Sequence, residues 1–230
     1  MKIPSIKALV PMRANSVRVP NKNIRPLAGK PCFHWIVGAL LKSKYIDEVI
    51  INTDSQEISK SAKDHFDVTI LERPDFLKGY DISIQPLIEY DLSQTTGTYY
   101  LQTHSTNPLV TTETIDNAIE SFFSQNDHDT LFSVTEVKQR FYWPDGRGIN
   151  HDPAFLIPTQ NLEPIYHENS CFYIFSRETN MKTKTRLGSN PMMFPIDRLE
   201  SSDIDDMEDF YWAEFLLNKK TQKKDFLFRS

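Results

Sequence analysis

In the first half of the chain, short continuous apolar runs alternate with stretches whose apolar residues recur every three or four positions, the respective signatures of strand and helix. Ile6 to Met12 predicts a buried strand, followed by a polar loop from Arg13 to Asn23 and the turn residues Gly29-Lys30-Pro31. Phe33, Ile36, Val37 and Leu40 predict a helix from Phe33 to Leu41, and Val49-Ile50-Ile51 centres a second strand over Glu48 to Asn52. Asp54 or Ser55 can cap a helix running to about His65. A third short run at Val68 to Leu71, a helix from Ile84 to Leu92, a strand from Thr98 to Gln102 and a helix from Thr112 to Phe123 continue the series.

Strands alternating with helices at this spacing predict parallel βαβ units and a three-layer α/β sandwich. Ligands of such sheets bind outside the carboxyl ends of the strands. The loop 13–23, the Asn52-Thr53-Asp54 turn and the segment after Gln102 are therefore expected to converge on one crevice.

The pattern fails between Lys138 and Glu168, where Pro144, Pro153, Pro158 and Pro164 punctuate a stretch rich in aromatic residues and histidine. A long irregular segment inside a compact domain is usually functional or binds a partner. Regular structure is expected to resume with strands at Ser170 to Phe175 and near Met192 to Ile196, then a helix from about Asp206 to Leu217.

Composition narrows the possibilities. A chain of 230 residues, 39% hydrophobic, suits a single α/β domain. The 26 basic and 31 acidic residues are interspersed to a net charge of −5, which provides no broad basic field for nucleic acid. Any anionic ligand must be held by a local cluster. Two cysteines, Cys32 and Cys171, are too few for a zinc site, and their apolar settings favour buried free thiols over a disulfide. With no signal-peptide pattern and no apolar stretch of membrane-spanning length, a soluble cytoplasmic protein with no membrane partner is expected.

Two places carry candidate chemistry. The loop after the first strand holds Arg13, Arg18 and Lys22 among the short polar residues Asn15, Ser16, Asn21 and Asn23. Guanidinium forks and backbone N–H groups there can hold a triphosphate and neutralise the charge of departing pyrophosphate. The loop is neither a Walker loop nor a dinucleotide fingerprint, and an ordinary basic surface loop has the same composition. Near the C-terminus, Asp203-Ile204-Asp205 puts two carboxylates at i and i+2, on one face if the backbone is extended. They can share Mg²⁺ with substrate phosphates. Asp205-x-x-Glu208 also reads as a capping box for the helix that follows.

The loop resembles the opening signature of the CMP-sugar synthetases, cytidylyltransferases that activate sialic and related acids, in which Arg-x-x-Ser-Lys-Gly-x-Pro-x-Lys-Asn follows the first strand. Arg13, Ser16, Pro20, Lys22 and Asn23 match in register, and Leu27-Ala28-Gly29-Lys30-Pro31 resembles its continuation. The resemblance continues in Asn52-Thr53-Asp54, in Arg73-Pro74 with Asp81 and Ser83, in Leu101-Gln102, in Glu168-Asn169 before Tyr173-Ile174, and in Asp203-Ile204-Asp205 ahead of a helix carrying Ala213-Glu214. It spans about Ile6 to Glu214.

The resemblance implies a Rossmann-like nucleotidyltransferase sandwich with a mostly parallel sheet, and residues 138–168 as a dimerisation insertion. It implies that Arg13, Asn15, Ser16, Lys22, Asn23, Arg73 and Ser83 bind the nucleotide, and Arg18, although a departure from the pattern, can restore the missing phosphate-binding charge from a neighbouring position. Gln102, Glu168 and Asn169 would face the acceptor, Asp203 and Asp205 would bind Mg²⁺, and Arg13 and Lys22 would serve catalysis; on their positions alone, His104 is a further candidate acceptor contact and Asp205 the candidate base. The implied reaction transfers CMP from CTP to an acidic sugar, in a homodimer.

Val17 and Arg18 stand where the family has Lys-Gly, and Val110 replaces an arginine. These departures leave a phosphate or phosphonate acceptor, or a noncatalytic nucleotide-binding relative, as alternatives.

Overall fold

The computed structural model describes residues 3–227, and the side chains of residues 3–220. In chain order the strands are β1 (Ile6–Met12), β2 (Pro26–Leu27), β3 (Lys30–Pro31), β4 (Ile46–Thr53), β5 (Thr69–Glu72), β6 (Tyr99–Thr103), β7 (Thr130–Val137), β8 (Ile165–Ser176) and β9 (Pro191–Pro195). The helices are α1 (Phe33–Leu40), α2 (Gln56–His65), α3 (Ile84–Ser93), α4 (Thr112–Ser124), α5 (Arg177–Thr183) and α6 (Met207–Leu227). Seven strands form one sheet ordered β5-β4-β1-β6-β8-β7-β9. Within it only β8 runs against the others, pairing antiparallel with both β6 and β7.

The period-two alternation of a strand sorts its side chains into two layers. Ala8, Val10 and Met12 of β1, Val49 and Ile51 of β4, Leu101 of β6 and Phe172 and Ile174 of β8 join residues of α1, α2 and α4 on one face. Their chain neighbours Leu9, Ile50, Tyr100, Tyr173 and Phe175 join Ile88 and Leu92 of α3 on the other. The expected three-layer, mostly parallel α/β sandwich is what these residues build.

Three elements lie outside the sequence reading: β7, α5 and the β2–β3 hairpin. The hairpin strands are two residues long, joined by Ala28 and Gly29 at φ +47° and +88°, and are too short for periodicity to register. α5 buries only Asn180. β7 gains its burial from β8 and β9 on either side, a tertiary effect invisible to local pattern. β8 begins at Ile165, so the last residues of the expected insertion 138–168 are strand. α6 continues past the expected end at Leu217 to Leu227. Cys32 and Cys171 are buried free thiols.

Candidate active site

A small apolar cluster under the sheet's carboxyl edge fixes the site. Val19 from the first loop and Ile204 from the acidic segment are both fully buried, and both pack with Leu27, Leu109 and the Phe210, Ala213 and Leu217 face of α6. Each of these anchors sits beside polar groups. Burying Val19 presents Arg18 and, three residues on, Lys22, and burying Ile204 presents Asp203 and Asp205. The Ile204 N–H donates to the Thr106 carbonyl at 3.0 Å, tying the acidic segment to the loop after β6.

The result is a cavity of about 400 Å³, in the range of ligand sites. Arg13, Asn15, Ser16, Arg18, Lys22 and Asn23 line it on one side and His104, Ser105, Thr106 and Asp205 on the other. Arg18 Nη2 lies 2.6 Å from Asp205 Oδ1, and Lys22 Nζ donates to the Ile204 carbonyl at 2.5 Å. Burial lowers the Lys22 pKa from its ordinary value, against the attraction of Asp203 and Asp205. Burial likewise raises the Asp203 carboxyl, and the neighbouring charge of Asp205 adds to the effect.

Neither Asp54 nor Asp205 caps a helix through its side chain. Ser55 caps α2 by accepting from the Ile58 N–H at 3.2 Å, while Asp54 accepts from the Ala14 N–H at 2.7 Å and holds the first loop. At α6 the capping box is Asp206 with Asp209, one residue later than the expected Asp205 with Glu208. The Asp205 side chain therefore faces the cavity. Asp203 Oδ1 is buried with no hydrogen-bond partner. A desolvated, unpartnered carboxylate oxygen next to a second carboxylate suits a hard divalent cation.

Asn23 and Arg73 support the cavity floor. The Asn23 amide donates to the Arg13 carbonyl at 2.9 Å and accepts from Ser105 Oγ at 2.6 Å. Arg73 donates to Asn52 Oδ1 at 2.8 Å, to the Asn52 carbonyl at 3.0 Å and to the Met12 carbonyl at 3.2 Å, joining the ends of β1 and β4. Asn52 in turn donates to Asp91 of α3 at 2.5 Å. Arg73 lines a second cavity of about 180 Å³, which shares Arg13 and His104 with the first.

On the far side of His104 lies a polar network. Gln102 Oε1 accepts from Arg186 Nη1 at 2.6 Å, and the same Nη1 lies 3.3 Å from His104 Nε2. The Arg186 guanidinium stacks 3.6 Å from the centre of the Tyr173 ring. The Tyr173 hydroxyl donates to Glu168, and the Ser170 hydroxyl lies 3.1 Å from the same oxygen. Burial, with Arg186 and Lys22 nearby, lowers the His104 pKa to about 3, so its imidazole is neutral.

A family model described as cytidylyltransferase matches residues 7–225. The chain belongs to the cytidylyltransferase family. Its relatives include the post-translational flagellin modification protein B of Campylobacter coli, 26% identical over 226 residues, covering 93% of this chain and 96% of that protein. The pseudaminic acid cytidylyltransferase of Campylobacter jejuni is 26% identical, with 90% and 94% covered. The N-acylneuraminate cytidylyltransferase of Streptococcus agalactiae serotype III is 25% identical over 88% of this chain, which spans only 51% of that longer protein. Among solved structures, a CMP:2-keto-3-deoxy-manno-octonic acid synthetase complexed with CTP superposes with a TM-score of 0.70 at 12% identity, covering 94% and 99% of the two chains. A 4-diphosphocytidyl-2C-methyl-D-erythritol synthase from Anaerococcus prevotii gives 0.66 at 13% identity, covering 94% and 100%. These two establish likeness of fold.

In this cytidylyltransferase the cavity gathers Arg13, Asn15, Ser16, Arg18, Lys22, Asn23, His104 and Asp205 from the residues singled out by sequence. Ser83 sits exposed at the start of α3 and lines neither cavity. Asn169 faces inward: its amide accepts from Ser133 Oγ at 2.6 Å and donates to Thr135 Oγ1 at 3.1 Å, bridging the irregularity where β7 and β8 shift register. Sequence reasoning passed over Tyr80, whose ring lies 5.2 Å from the Arg13 guanidinium on the cavity wall, and Arg186. Both are isolated in loops without a local pattern. Among the described residues, no helix is long and apolar enough to cross a membrane.

Proposed function

We propose that this cytidylyltransferase transfers CMP from CTP to an acidic sugar, releasing pyrophosphate, as a Mg²⁺-dependent cytoplasmic homodimer. The carrying observation is the meeting of Arg18 and Lys22 with Asp205 on one cavity, brought together from opposite ends of the chain, with the buried Asp203 carboxylate close enough to act on the Lys22 charge. Relatives that cover nearly their whole length with this chain include an enzyme for pseudaminic acid, which supports the acceptor class.

Arg13, Arg18 and Lys22 would bind the triphosphate and offset the charge that develops on the departing pyrophosphate. Asn15 and Ser16 add hydrogen-bonding groups from the same wall. Asp203 and Asp205 would hold Mg²⁺, which when bound supplies charge neutralisation to the phosphates. An acceptor hydroxyl attacks the α-phosphorus in line, its P–O bond forms as the bond to pyrophosphate breaks, and Asp205 takes the proton. Gln102, His104 and Glu168 lie on the side from which the acceptor would approach, and Arg73 and Asn23 position the nucleotide wall behind it.

The segment before β8 exposes Tyr142, Trp143, Phe155 and Leu156, a set of large apolar side chains that supports a self-association surface. The function is tested by pyrophosphate release from CTP and MgCl₂ with a panel of N-acetylneuraminic, pseudaminic and 2-keto-3-deoxy-manno-octonic acids. Release with at least one acid is expected. CTP binding without release on any acid would contradict the proposal.

A further inference from the structure

Arg186 is a cation with neutral neighbours. Its hydrogen bonds go to the Gln102 amide and the His104 imidazole, and its face rests on the Tyr173 ring. Among the described residues it forms no ion pair within 4.0 Å, although burial already penalises its charge. The one carboxylate whose field reaches it noticeably, Glu168, is exposed and accepts from the Tyr173 hydroxyl. A partly buried guanidinium normally has an anionic partner, because neutral hydrogen bonds replace only part of its hydration.

The position is also rigid. The 185–190 segment between α5 and β9 is clamped by Asp129, which accepts from the Ser189 N–H at 2.7 Å and the Asn190 N–H at 2.9 Å. Gly188 has φ +65°, and a Cβ there would lie 2.5 Å from Asp129 Oδ1, so the tight turn admits only glycine without rearrangement. Leu187 packs into the core cluster that contains Tyr173. Gln102 holds one edge of the guanidinium and Tyr173 holds one face, which fixes the plane in which a carboxylate would dock side by side with it.

Position separates this cation from those of the triphosphate wall. Arg13, Arg18 and Lys22 line the first cavity, whereas Arg186 lies beside His104, a residue that lines both cavities. We infer that Arg186 is the anion anchor of the acceptor subsite, oriented by Gln102 and Tyr173 to pair with the carboxylate of the acidic sugar. The inference rests on the proposed acceptor class and adds the residue that enforces it. In this arrangement the charge of Arg186 is completed only when an acid binds, and a neutral sugar leaves it unpaired.

The test compares a sugar acid that the enzyme turns over with the methyl ester of the same sugar, in wild type, Arg186→Gln and Arg186→Lys. Loss of one charge-assisted pair predicts a fall of about 10- to 150-fold in kcat/KM for the acid with Arg186→Gln, carried by KM. The ester's kcat/KM and the KM for CTP stay within about twofold of wild type, so discrimination between acid and ester collapses. Arg186→Lys, which keeps the charge and loses the fork, falls between the two and serves as the folded control. Equal losses for acid and ester, or an unchanged KM for the acid in both variants, would overturn the inference while leaving the proposed function standing. A wild-type enzyme inactive with every sugar acid would instead overturn the proposed function, and this inference with it.

Discussion

Arg18 and Asp205 stand 187 positions apart in the chain and 2.6 Å apart in space, across the mouth of the cavity that Lys22 also lines. Both side chains are more than half exposed, so the pair contributes under about 1 kcal/mol to folding. Its consequence is chemical: Arg18 occupies a carboxylate that the metal would need, and on loading of nucleotide it would exchange Asp205 for a phosphate. Arg18→Ala is expected to lower the melting temperature by no more than about 4 °C. The same variant raises the KM for CTP about tenfold or more, and it tightens Mn²⁺ binding to the nucleotide-free protein, read by electron paramagnetic resonance. Unchanged Mn²⁺ affinity would show that the pair does not compete with the metal.

The apolar anchor behind Asp203 and Asp205 matters as much as the acids. Ile204 is fully buried against Val19 and α6. Ile204→Ala is expected to cost about 2–5 kcal/mol in urea unfolding. Turnover falls as well, because the two carboxylates lose their fixed placement opposite Lys22. A destabilised variant with wild-type kcat and KM would separate the anchor from the site.

Asp91 gives the molecule a pH dependence of stability. Burial raises its pKa from 3.8 to about 7, although the Asn52 hydrogen bond and Arg73 oppose the shift. Between pH about 4 and 7 the unfolded chain releases this proton and the folded one retains it, so stability falls as pH rises, by about 1.4 kcal/mol per pH unit, and levels off above 7. Asp91→Asn keeps the acceptor oxygen for Asn52 and removes the titration. Its melting temperature should therefore exceed that of wild type near pH 8 and match it near pH 4. A parallel decline in both proteins would contradict the assignment.

The aromatic surface of the segment before β8 predicts assembly. Trp143 and Phe155 are 52% and 76% exposed, an unfavourable arrangement for large apolar side chains in a lone chain. Wild type should elute from a sizing column as a dimer, and Trp143→Ser combined with Phe155→Ser as a monomer with the melting profile of a folded protein. Wild-type elution as a monomer at micromolar concentration would remove the basis for a homodimer.

The fold was legible where one face of each element is buried. The strands at Ile6–Met12 and Ile46–Thr53 and the helices at Phe33–Leu40 and Thr112–Ser124 carry dense apolar patterns and emerged within a residue or two of their bounds. β7 and α5 did not emerge, because neighbouring strands and a short polar helix leave little local periodicity. The site was legible where its residues cluster in sequence, as in the Arg13 to Asn23 loop and the Asp203-Ile204-Asp205 triplet. Arg186 and Tyr80 were missed because each is a lone side chain whose meaning comes from what folding places beside it. Asn169 shows the converse, since a residue that reads as a ligand contact has its amide engaged within the protein.

The central claim is that cations of the first loop and carboxylates of the acidic segment share one triphosphate. Calorimetric titration of CTP with and without MgCl₂, on wild type, Lys22→Met and Asp203→Asn, tests it most directly. Lys22→Met should weaken CTP binding under both conditions, and Asp203→Asn should abolish only the gain in affinity that Mg²⁺ provides. An Mg²⁺-dependent gain that survives intact in Asp203→Asn, together with wild-type CTP affinity in Lys22→Met, would contradict the account.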